Sequence, residues 1–243
     1  MKRDFQNVYS DEARADSYAD LEYPGTYYLA FRDLPTLFDR HVEGPAAMDF
    51  GCGTGRSSRF LKELGFGVVG VDIAERMLDR ARARDREGDY RLVPDGDLSA
   101  LEGSSYDLVL SAFTFDNIPV YETRLALFEG LGRLLTEGGR LVNLVSSPEI
   151  YVNEWASFST RGFPENRSAK SGEMVRIVML DVEDRRPVED VLWTDTDYRE
   201  LYSAAGLEVL ETHRPLGTSV DPCTWVSEVE ISPWAIYVLG RSI

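Results

Sequence analysis

Basic side chains are scarce in this 243-residue chain: 26 Lys and Arg stand against 42 Asp and Glu, a formal net charge of -16. Long contacts with nucleic-acid phosphates or anionic lipid are built from clustered cations. The acidic balance argues against both, although a local basic patch is compatible with it. A small neutral or cationic substrate suits such a field; the plainer alternative is that the acidity serves solubility. Cysteine is nearly missing as well. Cys52 and Cys223 stand apart and form no C-x-x-C unit, so neither a disulfide framework nor a zinc site is indicated, and no other ligand cluster demands a metal. No run of about 18 apolar residues is available to span a membrane. The start, "MKRDFQNVYS", has no apolar signal-peptide core, so a cytoplasmic enzyme is the expectation. Repeats and low-complexity tracts are also absent.

What is present is an alternation of strands and helices. "AAMDF" (46–50) reads as a short strand, "RSSRFLKEL" (56–64) as a helix stopped by Gly65, and "GVVGVD" (67–72) as a buried strand ending at Asp72. A charged amphipathic helix follows from Ala74. Then come a third strand and turn in "YRLVPDGD", a fourth strand in "YDLVLSAFTF", a long helix over 121–139 and a fifth strand in "RLVNLVSS". Strands alternating with helices over 46–146 predict βαβ units on a parallel sheet, an α/β doubly wound fold. Residues 1–45, rich in aromatics, read as a helical cap on the domain spanning 46–243. Residues 148–171 lose periodicity but hold Tyr151, Trp155, Phe158 and Phe163, which favours a lid or partial helix over a pocket. "EMVRIVMLDVE" and "PVEDVLWT" read as a hairpin. "DTDYRELYSAAG" reads as a helix capped by Thr194 or Asp195, and two strands, "LEVLETHRPL" and "WAIYVLGR", close the chain.

Between the first strand and its helix stand Gly51, Gly53 and Gly55. Glycine permits a tight turn and lets a ligand approach the backbone, while the helix start offers free N–H groups. Asp72 ends the next strand, where a carboxylate can accept hydrogen bonds from ribose hydroxyls. Neither G-x-G-x-x-G nor G-x-x-x-x-G-K-[ST] occurs here; the spacing is G-x-G-x-G, followed by Arg56 and Ser57. The turn therefore reads as shaped for a nucleoside without a pyrophosphate. A tight βα turn with no ligand is the alternative.

"DFGCGTG" followed by "VVGVDIAERML" resembles the class I S-adenosylmethionine-dependent methyltransferases, closely over about 46–145 and more loosely through "YRELYSAAGLEVLE". The resemblance implies a Rossmann-like seven-stranded sheet of order 3-2-1-4-5-7-6 with an antiparallel last pair. It implies S-adenosyl-L-methionine as cofactor and S-adenosyl-L-homocysteine as product. By the same likeness Gly51, Cys52, Gly53, Thr54 and Gly55 make the first cofactor contacts. Asp49 lies beneath the turn and orients the ammonium end, directly or through water. Asp72 binds ribose, Ile73 stacks on adenine and Met77 lines the same side. Asp97, with Asp95 as rival, meets the exocyclic amine, and Leu98 meets the ring. Ser111, Ala112 and Phe113 line the methyl-transfer end. The N/D-P-P-Y/F tetrad of nucleic-acid amine methyltransferases is missing; "DNIP" stands in its place.

Methyl transfer from a sulfonium needs alignment and exclusion of water, and a dedicated acid or base is optional. The catalytic candidates are therefore two. Asp116, in "FTFDNI", could orient an amine or hydroxyl, or could instead cap the following helix or form a loop salt bridge. His213 could act as a base near neutral pH, or could be structural or solvated. Tyr18, Tyr28, Trp155 and Phe158 are the candidate substrate walls, with core packing of the cap as the alternative. Arg32 could reach the cofactor carboxylate. The reading is methyl transfer to an oxygen or nitrogen of a small aromatic, heterocyclic or amino-bearing metabolite. Its rivals are a cofactor-retaining protein that transfers no methyl and a nonenzymatic binding module.

Overall fold

The computed structural model describes residues 22–101 and 103–242; Tyr18 lies outside the described residues. Helices α1 (Thr26–Arg32) and α2 (Leu34–His41) precede the first strand. Then follow β1 (Ala46–Phe50), α3 (Arg56–Glu63), β2 (Gly67–Asp72), α4 (Glu75–Arg84), β3 (Asp89–Leu92) and β4 (Tyr106–Ala112). The chain continues through α5 (Tyr121–Arg133), β5 (Leu135–Ser146), β6 (Phe158–Ser159), β7 (Met174–Met179) and β8 (Val188–Val191). It ends with α6 (Asp195–Ala204), β9 (Leu207–His213) and β10 (Trp234–Arg241).

Seven strands form one sheet in the order β3-β2-β1-β4-β5-β10-β9. Its first five are parallel, and β10 runs antiparallel to both β5 and β9. Counted within that sheet alone, this is the expected 3-2-1-4-5-7-6. The side-chain period of two explains why both faces are dry. In β10, Trp234, Ile236 and Val238 join the core under α1 and α2, while Ala235, Tyr237 and Leu239 join the core under α5 and α6. The cap helices are part of the first core: Leu29, Phe31, Leu34 and Phe38 pack with Ala47, Leu108 and Val142 of the sheet.

One element differs from expectation. The helix expected over 121–139 ends at Arg133, and "LTEGG" belongs to β5. Tyr106 N–H donates to Leu134 O, and Tyr106 pairs Leu135 before the register shifts. Pairing with β4 overrides local helix propensity there. Through Ile150, Tyr151 and Phe158, residues 148–171 wall a small cavity. They hold two 3-10 turns (Pro148–Tyr151, Pro164–Ser168) and β6, which joins β7 and β8 in a second sheet of three strands. Asn166 pins this layer by donating to Tyr151 O (2.9 Å) and Arg176 O (2.8 Å). Among the described residues no helix is long and apolar enough to cross a membrane.

Candidate functional site

A cavity of about 290 Å³ opens at the carboxyl ends of β1, β2 and β4, where the strand order reverses and ligands of doubly wound sheets sit. Gly51, Gly53, Asp72, Ile73 and Met77 line it from one side, Ala112 and Phe113 from the other. Gly53 adopts φ +54°, and a Cβ there would meet only the Met77 Cε, at 3.3 Å. The bare backbone thus leaves a cradle that a larger residue would occupy. Asp72 accepts from the Gly53 N–H (2.8 Å) through Oδ2 and from the Ala74 N–H (2.8 Å) through Oδ1. Each carboxylate oxygen keeps further acceptor capacity. Burial raises the Asp72 pKa against the pull of those amides.

Other expected cofactor residues stand behind this wall. Asp49 is fully buried and does not line the cavity; its Oδ2 accepts from the Ser57 (2.7 Å) and Ser58 (2.6 Å) hydroxyls. It braces the first turn of α3, and burial pushes its pKa up to about 6. Its Oδ1 has no partner among the described residues. Cys52 turns away into a cluster with Leu78, Ala81 and Tyr90. Thr54 is buried, and a Cβ at Gly55 would strike the Tyr90 hydroxyl at 2.6 Å, so Gly55 answers to packing. Ser111 is level with Phe50 and Asn143 in the sheet and is buried, its hydroxyl without a partner among the described residues, instead of lining the cavity.

Asp97 and Leu98 are not cavity residues either. Asp97 is exposed, with its carboxylate accepting from the Ser99 N–H (2.9 Å), and Leu98 packs against Gly130. The 3-10 turn Pro94–Gly96, with Gly96 at φ +74°, presents Val93 and Gly96 to the cavity instead. A turn of this kind reverses side-chain direction within one residue, which spacing alone does not reveal.

A second, smaller cavity of about 40 Å³ adjoins the first, and Phe113 and Asn117 line both. Asp116 lines the smaller one and is 5% exposed. It accepts from the Ser146 hydroxyl (2.8 Å) and N–H (3.1 Å) through Oδ2, and burial pushes its pKa up to about 6. Asp190, on β8, shares the cavity and accepts from the Tyr151 hydroxyl (3.0 Å). Nothing local in "PVEDVLWT" announced Asp190: the antiparallel layer carries it there. Phe158 and Tyr27 are walls; Tyr28 is not, because neighbouring helical residues face different ways. Trp155 is a core residue, 2% exposed, with its indole N–H donated to Ile150 O (2.8 Å).

Two features hold the junction between the cavities. Phe113 is the one described non-glycine residue at positive φ (64°), a conformation that costs energy and that packing must enforce. Its ring lies 4.8 Å from Trp234 and 5.7 Å from Tyr27. Arg124, with no exposed surface, donates to Ile118 O (2.5 Å) and Phe115 O and lies over the Trp193 ring at 4.2 Å. It clamps the turn that carries Asp116 and Asn117.

His213 is elsewhere. It sits at the end of the edge strand β9 with Nε2 2.8 Å from Asp33, lining neither cavity, and it joins α2's N-cap to the sheet edge. Arg32 is occupied by Asp33 and Asp221. Among the described residues no group of three or more His, Cys, Asp or Glu side chains gathers as a metal site.

Residues 48–141 match the family described as "Methyltransferase domain". The N-demethylindolmycin N-methyltransferase of Streptomyces griseus is 28% identical over 211 residues, 85% of this chain and 86% of that protein. The ubiquinone biosynthesis O-methyltransferase of Bordetella avium is 32% identical over 82 residues. That match spans 32% of this chain and about a third (34%) of that protein. The solved structure of the CcbJ methyltransferase from Streptomyces caelestis superposes with a TM-score of 0.66 at 19% identity, covering 94% of this chain and 96% of that one, which shows the fold. With the glycine turn, Asp72 and the reversal-point cavity in place, the chain is similar in sequence to methyltransferases and in fold to S-adenosylmethionine-dependent methyltransferases.

Proposed function

We propose that this enzyme transfers the methyl group of S-adenosylmethionine to an oxygen or nitrogen nucleophile of a small molecule seated in the smaller cavity. The observation that carries the reading is the shared wall: Phe113 and Asn117 line both cavities, so a donor in one abuts an acceptor in the other. S-adenosylmethionine is the cofactor, and it supplies an electrophilic methyl on a positively charged sulfur.

The residues present fit that group. The cradle at Gly53 has room that a Cβ would take, and Asp72 has acceptor capacity left for two ribose hydroxyls. Ile73 and Met77 offer apolar surface for a flat base. Asp49 positions α3 through Ser57 and Ser58, and its unpartnered oxygen leaves negative potential beneath the turn. Around the acceptor, packed aromatic and aliphatic walls exclude water, and alignment does most of what catalysis requires.

Calorimetry with S-adenosylhomocysteine tests the reading. Wild type should bind one equivalent, and Asp72→Ala should lose about 1.5–3 kcal/mol, the worth of hydrogen bonds to a charged acceptor. Unchanged affinity in that variant would remove Asp72 from the site. Screening phenols and amines with methyl-labelled cofactor then identifies the acceptor.

A further inference from the structure

The smaller cavity is built for a positive charge. Four aromatic rings, Tyr27, Phe113, Phe158 and Trp234, wall one part of it, with neighbouring ring centres 4.8–5.8 Å apart. Two carboxylates, Asp116 and Asp190, wall another. Among the described residues no Lys, Arg or His lines the cavity. Ring faces attract cations by their quadrupole, and carboxylates out of water attract them more strongly. A neutral hydroxyl would gain little from either. At about 40 Å³ the space holds a few water-sized groups. That suits an amino head bearing one or two methyls, with the rest of the molecule reaching outward.

The partners of Asp116 sharpen the point. Among the described residues Ser146 supplies its donors, one hydroxyl and one N–H. The Oδ2 takes the hydroxyl and the closer amide contact, while Oδ1 has only that amide at 3.3 Å. Arg124, a cation whose charge acts on Asp116, is committed to backbone carbonyls and to the Tyr198 hydroxyl (3.3 Å). A protonated amine beside Oδ1 would find an acceptor with capacity to spare.

We infer, resting on the methyltransferase reading above, that the acceptor is an alkylamine bound as its ammonium between the four rings and the Asp116 and Asp190 carboxylates. Asp116 Oδ1 then takes one proton: the N–H bond breaks, its electron pair stays on nitrogen as the lone pair, and an O–H bond forms on the carboxyl. The neutral amine is thereby left facing the wall that Phe113 and Asn117 share with the donor cavity.

Isopropylammonium and isopropanol, a charged and a neutral probe of one shape, test this on the intact protein with S-adenosylhomocysteine bound, reading tryptophan fluorescence at constant ionic strength. The expected result is saturable binding of the ammonium about tenfold or more tighter than the alcohol. Asp116→Asn should reduce that preference at least severalfold while leaving S-adenosylhomocysteine affinity unchanged. Asp190→Asn serves as the second variant should the first fold poorly. Equal affinity for the two probes overturns the inference. So does an ammonium response absent up to about 100 mM, weaker than any specific site, or one indifferent to both variants. Failure of S-adenosylhomocysteine to bind, measured separately by calorimetry, overturns the methyltransferase reading itself.

Discussion

Phe113 shows how one residue can join two functions. Its backbone has positive φ, its ring packs against both Tyr27 and Trp234, and its carbonyl accepts from the Asn117 side chain (3.3 Å). A left-handed backbone costs an L-residue roughly 1–2 kcal/mol. Phe113→Gly should therefore be about 1 kcal/mol more stable than Phe113→Ala in urea unfolding, although both lose the ring. The reverse order would show that the backbone there is unstrained. Gly53 gives the complementary case. Gly53→Ala should cost about 1 kcal/mol of stability for its φ of +54°. It should weaken S-adenosylhomocysteine by more than that, because the new methyl points into the cradle; a calorimetric titration checks this, and wild-type affinity would contradict it.

Glu228 ties three elements together. Its side chain has no exposed surface and accepts from the Thr26 hydroxyl at the start of α1, from the Ala156 N–H in the segment before β6, and from the Val226 and Ser227 N–H groups. Glu228→Gln would turn one accepting oxygen into an amide donor facing other donors. Unfolding should show a loss of about 3 kcal/mol, and a loss below about 0.5 kcal/mol would contradict the staple. The sheet and its helices were legible because apolar alternation and glycine stops are local signals. So was the cradle with Asp72, because strand, turn, helix and next strand are contiguous. What was hidden depends on distant pairing or on irregular turns. Asp33 lies far along the chain from His213, and their contact explains a histidine that otherwise reads as a base. Asp190 reaches the smaller cavity through the pairing of β7 with β8. Asp97 and Leu98 do not line the cavity, which Val93 and Gly96 reach at the 3-10 turn Pro94–Gly96. Trp155 carries the same aromatic signal as Phe158, yet the fold gives one to the core and the other to the cavity wall.

The chain as a whole is strongly acidic, and two sets of its acids respond to pH in opposite senses. Exposed or half-buried carboxylates such as Glu211 and Asp221 are held below their usual range by cationic or hydrogen-bonding partners, so the stability they add is lost as pH falls through their folded pKa. Asp116 and Asp49 are raised to about 6 by burial, so their contribution is present below about pH 4 and is lost as pH rises through about 6. Relative to wild type, Asp116→Asn should therefore gain stability between pH 4 and pH 7, by up to about 3 kcal/mol. Paired denaturant titrations check this, and a difference that stays constant over that range would contradict it. The central claim is that the cavity closing the first crossover holds the nucleoside and presents its sulfur to the acceptor. A crystal structure with S-adenosylhomocysteine bound tests it most directly. It should show both ribose hydroxyls on the Asp72 carboxylate and the sulfur at the wall formed by Phe113 and Asn117. A nucleoside lying elsewhere, or a sugar that does not touch Asp72, would contradict it.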